Sequence, residues 1–189
     1  IVHHVRERLR IIGADILFLQ EVVGHNALHA KNHEHWPDAP QHEFLADKVW
    51  ADFAYGKNAT YRDGHHGNAI LSRFPITRWD NQDVSAHRFE QRGLLHCEIG
   101  IPGWDVELHC ACVHLALTAR SRSRQLERLR QRIERLVPAN APLIVAGKRI
   151  PDAEIRRFLC FGLGNKQLDA ARLELLLDEE IQRRKQAGD

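Results

Sequence analysis

Three polar side chains stand where short apolar runs end or begin. Glu21 follows Ile16-Leu17-Phe18-Leu19-Gln20, Asn68 opens Asn68-Ala69-Ile70-Leu71-Ser72-Arg73, and His114 closes Cys110-Ala111-Cys112-Val113-His114. A carboxylate at the exit of a buried strand can hold a hard cation. Mg²⁺ takes oxygen ligands in octahedral geometry, commonly one or two carboxylates with waters and substrate phosphate, so Glu21 needs an acidic or amide companion. An imidazole in such a place can hydrogen-bond a phosphate oxygen or steer a proton, which gives His114 a chemical use. Each residue type is also at home as a satisfied structural group, so the three weigh together rather than singly. Cys110, Cys112 and His114 alternate and therefore share one strand face, as zinc ligands would. Same-face neighbours stand roughly 6.6 Å apart, however, and an extended strand splays them, so core packing is the expectation for the two thiols. With Cys97 and Cys160 they fit neither a zinc-knuckle spacing nor a dense disulfide framework, and reduced thiols are expected.

The elements that must carry these groups follow from periodicity. Val2, Val5, Leu9 and Ile12 recur at three- and four-residue steps and predict a helix over residues 1–12, stopped by Gly13. The wholly apolar run 16–19 reads as a strand covered on both faces. Residues 23–42, with five histidines and two prolines, read as loop, and 43–50 as a short helix. Strands are predicted at 53–57, 68–72, 76–79, 93–99, 106–115 and 142–146. Thr118 to Leu136 is predicted to be a helix with Leu126, Leu129, Ile133 and Leu136 on its inner side. The simplest packing is an α/β arrangement of two sheets face to face with helices outside, a four-layer sandwich. Composition changes abruptly after Gly147: 152–159 and 167–186 are charged, Leu-rich and helical in propensity, with no further strand. Two regions are therefore expected, a sandwich domain over 1–147 and a helical tail over 148–189.

The chain has 189 residues, 43% hydrophobic and 28% charged, enough for one domain with a sizeable core. A net charge of +2 does not by itself mark a nucleic-acid binder. Seven arginines crowd 120–135, but Glu127 and Glu134 interleave with them and leucines recur at helical spacing, which points to a solvated helix face. No apolar run approaches the roughly 18 residues of a membrane span, and no signal-peptide pattern is present, so a cytoplasmic protein with no membrane span and no obligate protein partner is expected. The sequence opens at Ile1 and contains no Met, as expected of a piece of a longer protein.

The segments Gly13-Ala14-Asp15-Ile16-Leu17-Phe18-Leu19-Gln20-Glu21-Val22, Tyr55-Gly56-Lys57-Asn58-Ala59-Thr60-Tyr61, His65-His66-Gly67-Asn68-Ala69-Ile70-Leu71-Ser72-Arg73-Phe74-Pro75-Ile76, Gln91-Arg92-Gly93-Leu94-Leu95, Cys112-Val113-His114-Leu115-Ala116-Leu117 and Pro142-Leu143-Ile144-Val145-Ala146-Gly147 occur in this order. In that order and spacing the chain resembles the endonuclease/exonuclease/phosphatase superfamily, and its small bacterial members most. The resemblance implies the DNase-I-like four-layer α/β sandwich, in incomplete form. It also implies a metal-dependent phosphoester hydrolase of phosphodiesterase or nuclease type using Mg²⁺ or Mn²⁺. By position, Glu21 looks like the family's metal-binding glutamate, and His114 looks like its catalytic histidine on the phosphate. Asn68 and Arg92 look like substrate-binding residues; His65 and His66 are given no role. The implied substrate is a phosphodiester or phosphomonoester, with nucleic acid and lipid headgroups among the candidates.

Departures from the family pattern matter as much. The family has an early strand with an asparagine before its first helix, and this sequence begins inside that helix. After the strand ending at Gly147 the family reads Asp-Phe-Asn, where this chain has Lys148, Arg149 and Ile150. Its terminal Asp-His pair has no counterpart in 148–189. Replacing the carboxylate by a cation and the amide by an aliphatic removes two polar functions where in-line attack is organised. The expectation is impaired catalysis, with a catalytically inactive phosphate-binding or interaction protein as the alternative.

Overall fold

The structure, a computed structural model, describes residues 2–27, 31 and 36–148, and of Lys148 only the backbone. The tail expected to be helical lies outside the described residues. In chain order the elements are α1 (Val2–Ile12), β1 (Ile16–Asn26), α2 (Gln41–Ala46), β2 (Asp52–Tyr61), β3 (Gly64–Ser72), β4 (Ile76–Asp83), β5 (Gly93–Ile99), β6 (Leu108–His114), α3 (Ala119–Leu136) and β7 (Leu143–Lys148). The first sheet has the order β1-β3-β2 and the second β4-β5-β6-β7; all pairs are antiparallel except β6 with β7.

Strand alternation divides the apolar residues among three interfaces. Ile70 of β3, Leu95, Cys97 and Ile99 of β5, and Leu108, Cys110 and Cys112 of β6 fill the space between the sheets, with Ile16 and Phe18 of β1. Leu17, Leu19 and Val22 of β1 and Ala69 and Leu71 of β3 point the other way and pack with Val2, Leu9, Leu45 and Trp50 beneath α1 and α2. Leu94, Ala111 and Val113 carry Leu129 and Ile133 of α3 on the far face of the second sheet. Three apolar interfaces make four layers, helices on sheet on sheet on helix.

Most predicted elements are present, and several run further than their apolar cores. β1 continues through Val23 to Asn26, against the loop expected from 23, because its backbone stays paired to Gly64, His65 and His66. The helix expected over 43–50 is 41–46, after which Lys48 adopts φ 63°. α3 starts one residue late because Thr118 caps it, its side chain accepting from Ser121 N at 3.3 Å. On α1 only Val2 is buried; Val5 is 42% exposed and Ile12 61%, so the apolar stripe is only partly used among the described residues. The arginines of α3 behave as a solvated face, Arg130 pairing with Glu127 and Glu134 at 2.8 and 3.0 Å.

His42 lies buried on α2 with its ring stacked on Tyr55, centroids 4.3 Å apart. Burial first and the nearby His65 second hold its pKa down to about 4, from 6.5. A histidine whose folded pKa is depressed favours the fold above its unfolded value and loses that contribution as pH falls towards the folded one. Thermal melts of the whole chain should therefore show stability falling between pH 6.5 and about 4, with roughly 1–3 kcal/mol of the fall due to His42. His42→Phe should flatten that dependence, and an unchanged slope would show that His42 carries no proton linkage.

Candidate functional site

Glu21 owes its position to a fault in β1. Leu19 pairs with Ala69 and Val22 with Gly67, so three steps on β1 match two on β3 and one residue is extra. That bulge returns Val22 to the face of Leu17 and Leu19, under the helices, where regular alternation would have turned it inward. Gln20 still faces the second sheet, its Nε2 donating to Val113 O at 3.0 Å. The surplus residue is Glu21, with φ 56° and its carboxylate 60% exposed. A side chain with a Cβ in the left-handed region costs on the order of 1–2 kcal/mol, and nothing in the packing of an exposed carboxylate repays it.

Asn68 is placed by the same alternation in reverse. Two residues before the inward-facing Ile70, it enters the gap between the sheets at the end where the apolar filling stops. It is 1% exposed and sits within a strand rather than a turn. Its Nδ2 donates to Gly93 O at 3.0 Å and to Cys112 O at 3.2 Å, both on the opposite sheet. Two carbonyl acceptors settle which end of the carboxamide is nitrogen and use both of its hydrogens. Its Oδ1 is left buried with no partner. Gly67 must be glycine because a Cβ there would stand 1.9 Å from Gly56 O on β2.

His114, two residues after the inward-facing Cys112, closes β6 on the same side, with Nδ1 3.2 Å from Glu21 Oε1. Arg92 lies just before β5, its Nη2 3.1 Å from Glu90 Oε1; both side chains are about 15% exposed or less, so this is an embedded pair rather than a surface one. Arg92 Nε is buried without a partner.

These four residues, picked out from sequence along 94 positions of chain, line one recess, with Asn58, His66, Gly67 and Gln91 completing it. It adjoins a cleft of ≈ 270 Å³ lined by Lys57, Asn58, Asn81, Asp83, Ser85, Gln91, Arg92 and Gly93. Asn58, Asn81 and Gln91 were not singled out from sequence, and His66 had been set aside. Asn81 Nδ2 donates to Asn58 Oδ1 at 3.2 Å and to Lys57 O at 3.1 Å, so the two asparagines hold each other across β2 and β4. Asp83 keeps its carboxyl low chiefly through hydrogen bonds from Ser85. The only sequence hint of Asn58 and Gln91 was their membership of the Lys57-Asn58-Ala59-Thr60 and Gln91-Arg92-Gly93 segments.

The donor set at the recess is oxygen-rich: a Glu21 carboxylate, the orphaned Asn68 Oδ1, and amides at 58 and 91. Such oxygens suit Mg²⁺ or Mn²⁺. Cys110 and Cys112 pack in the inter-sheet core as expected rather than joining His114 as zinc ligands; both thiols are fully buried, and burial pushes their pKa up to about 12. Beside the recess, β7 runs parallel to β6 with Lys148 in register with His114. Arg149 and Ile150 lie outside the described residues.

A family model described as endonuclease/exonuclease/phosphatase family matches residues 2–147. The chain belongs to the endonuclease/exonuclease/phosphatase family. The "uncharacterized protein YbhP" of Escherichia coli is 46% identical over 147 residues, which is 78% of this chain and 58% of that relative; YbhP of Shigella flexneri matches equally. The chain thus spans under two thirds of the length of these relatives. Among solved structures, a mannosyl-6-phosphatase from Bacteroides thetaiotaomicron superimposes with a TM-score of 0.59 at 13% identity, over 84% of this chain and 60% of that one. A truncated TDP2 from Caenorhabditis elegans gives 0.54 at 21% identity, over 81% and 56%. An endonuclease/exonuclease/phosphatase family protein from Leptotrichia buccalis gives 0.56 at 15%, over 80% and 60%. At these identities the structures establish the fold, the DNase-I-like α/β sandwich.

The left-handed backbone at Glu21 generates a stability test. Glu21→Gly, which suits φ 56°, should melt above Glu21→Ala by about 1 kcal/mol, or roughly 2–4 °C for a chain of this size. Equal melting of the two variants would mean that the bulge carries no strain.

Proposed function

We propose that the recess is the phosphoester site of a metal-dependent hydrolase, of phosphodiesterase or nuclease type, whose turnover is impaired in this chain. The observation that carries this reading is the pair of orphaned buried atoms, Asn68 Oδ1 and Arg92 Nε, in two residues that line the recess together with Glu21 and His114. Buried polar atoms left unpaired cost on the order of 1–3 kcal/mol each, and a ligand that supplies their partners recovers that cost.

Each side chain then has a distinct part. Glu21 is the anchor for Mg²⁺ or Mn²⁺, and a bound divalent cation would neutralise charge on the phosphate. Arg92, braced by Glu90, offers guanidinium N–H groups to a phosphate oxygen. His114, steered by Glu21, points an imidazole that can donate to phosphate or pass a proton. Asn68 has no hydrogen left to give, so it acts only through Oδ1, on a water, a hydroxyl or a cation. The substrate class is a phosphodiester or phosphomonoester, nucleic acid and lipid headgroup included, with the cytoplasm as the place of action. No helix among the described residues is long and apolar enough to cross a membrane.

A second reading is favoured by Lys148. By the resemblance to the family, Lys148, whose backbone is in register with His114, occupies the position of the aspartate that activates water. On that reading 1–147 is a phosphate-binding scaffold without turnover, and 148–189 a divergent region.

Magnesium-dependent hydrolysis of bis-p-nitrophenyl phosphate separates the two. The chain should hydrolyse it slowly, and Glu21→Ala should abolish the activity. Restoring the base with Lys148→Asp and Ile150→Asn together should raise the rate at least tenfold. A folded chain with no rate above Glu21→Ala, unmoved by the restoring pair, would leave the binding-protein reading standing.

A further inference from the structure

The outer face of the second sheet is divided. One part lies under α3 and is apolar, with Leu94, Ala111 and Val113. The other, towards the ends of β5 and β6 remote from the recess, carries His96, Glu98 and His109. Glu98 is directly opposite His109 across the strand pair, and His96 lies two residues along β5 on the same face. Both histidines are buried, 4% and 5% exposed, which is unusual for two imidazoles side by side. Their rings stack with centroids 5.1 Å apart, and His96 Nε2 approaches His109 Nδ1 to 2.9 Å. A carboxylate oxygen of Glu98 completes a set of three ligand atoms all within 4.8 Å of one another.

We propose that His96, Glu98 and His109 form a zinc site, separate from the phosphoester recess, that cross-links β5 to β6. Two imidazole nitrogens with one carboxylate are a common three-ligand set for Zn²⁺, whereas Mg²⁺ prefers oxygen throughout. With Zn–N near 2.0–2.1 Å, tetrahedral geometry sets the two nitrogens roughly 3.4 Å apart, so a metal would replace the hydrogen bond between the rings, parting the nitrogens by about half an ångström and turning both lone pairs towards it. Because a metal takes neutral imidazole, burial that disfavours the protonated rings also favours the ligating form.

The surrounding charges fit a cation. Asp80 lies opposite His96 on β4, and Glu107 lies two residues before His109, just ahead of β6. Burial and a hydrogen bond with Glu107 raise the pKa of the Glu98 carboxyl, against the opposing pull of Arg78. The cationic Arg78 opposes them, its Nη1 4.0 Å from Glu98 Oε1, but its side chain is 77% exposed, where water screens it. Glu98, 19% exposed, opens the site to solvent at that edge. Along β6, His109 and His114 are five residues, roughly 17 Å, apart, so one ion cannot serve both sites.

The test is zinc titration of the whole chain after chelator dialysis, read by calorimetry and by the visible bands of Co²⁺ as a tetrahedral probe. It is run in a Glu21→Gln background so that the recess contributes nothing. A single equivalent should bind, with tetrahedral Co²⁺ bands, and zinc should raise the melting temperature. His96→Gln should weaken binding at least a hundredfold. Glu98→Gln, at a partly exposed position that leaves the buried histidine pair in place, should weaken it about tenfold or more and remove the thermal shift while the metal-free melt stays put. Zinc bound equally by the parent and by folded Glu98→Gln would place the metal on other histidines, and no binding by the folded parent would leave a structural histidine pair; either overturns the proposal.

Discussion

Asn68 donates both amide hydrogens across the gap between the sheets, to Gly93 O and Cys112 O. Gln20 does the same once, to Val113 O, and the Cys112 thiol approaches Leu19 O at 3.6 Å. At this end of the sandwich the two sheets are therefore joined by polar contacts, where further in they are joined by Ile70, Leu95 and Cys97. Net, such bonds stabilise by only about 1 kcal/mol each, but breaking one while its partner stays buried costs about 1–3 kcal/mol. The join is consequently rigid, and it fixes the separation of the strand ends that bear Glu21, Arg92 and His114. It also fixes the chemistry Asn68 can offer: with its nitrogen spent on the scaffold, only its oxygen remains for the recess.

A bulge on one strand and a regular end on another then bring an acid and a base together. Glu21 leaves the pleat as the surplus residue of β1, and His114 ends β6 in step with Cys112. Their contact at 3.2 Å is thus the meeting of two sheets, not a local pairing. Arg92 is tied in from a third direction, its backbone N–H bonded to Ser85 Oγ and its side chain to Glu90. Groups that far apart in sequence are hard to lose by small shifts and hard to keep in place without the sheets.

How much of this the sequence disclosed depends on the kind of signal. Apolar runs such as 16–19 and 68–72 located strands, because burial on both faces leaves a continuous hydrophobic trace. Strand ends were less legible: residues 25–26 and 80–83 are polar, and backbone pairing keeps them in the sheet. Glu21, Asn68 and His114 drew attention because strand ends and a family pattern coincide on them, and Arg92 by the family pattern alone, whereas Asn58 and Asn81 did not because an asparagine on a polar strand has no signature until its cross-strand partner is known. The positive φ of Glu21 was invisible too, since a bulge is a relation between two strands and not a property of one. For the same reason His96, Glu98 and His109 drew no attention, one strand supplying two of them and its neighbour the third.

On the proposed reading the recess gathers a divalent cation and a phosphate at once, whether or not turnover follows. The most direct measurement is the relaxation of the phosphorus NMR signal of dimethyl phosphate by Mn²⁺ in the presence of the protein. The prediction is a marked enhancement with the parent chain that disappears in folded Glu21→Gln and is reduced in Arg92→Gln. Equal relaxation in parent and variants would contradict it, showing that metal and phosphate do not meet at this site.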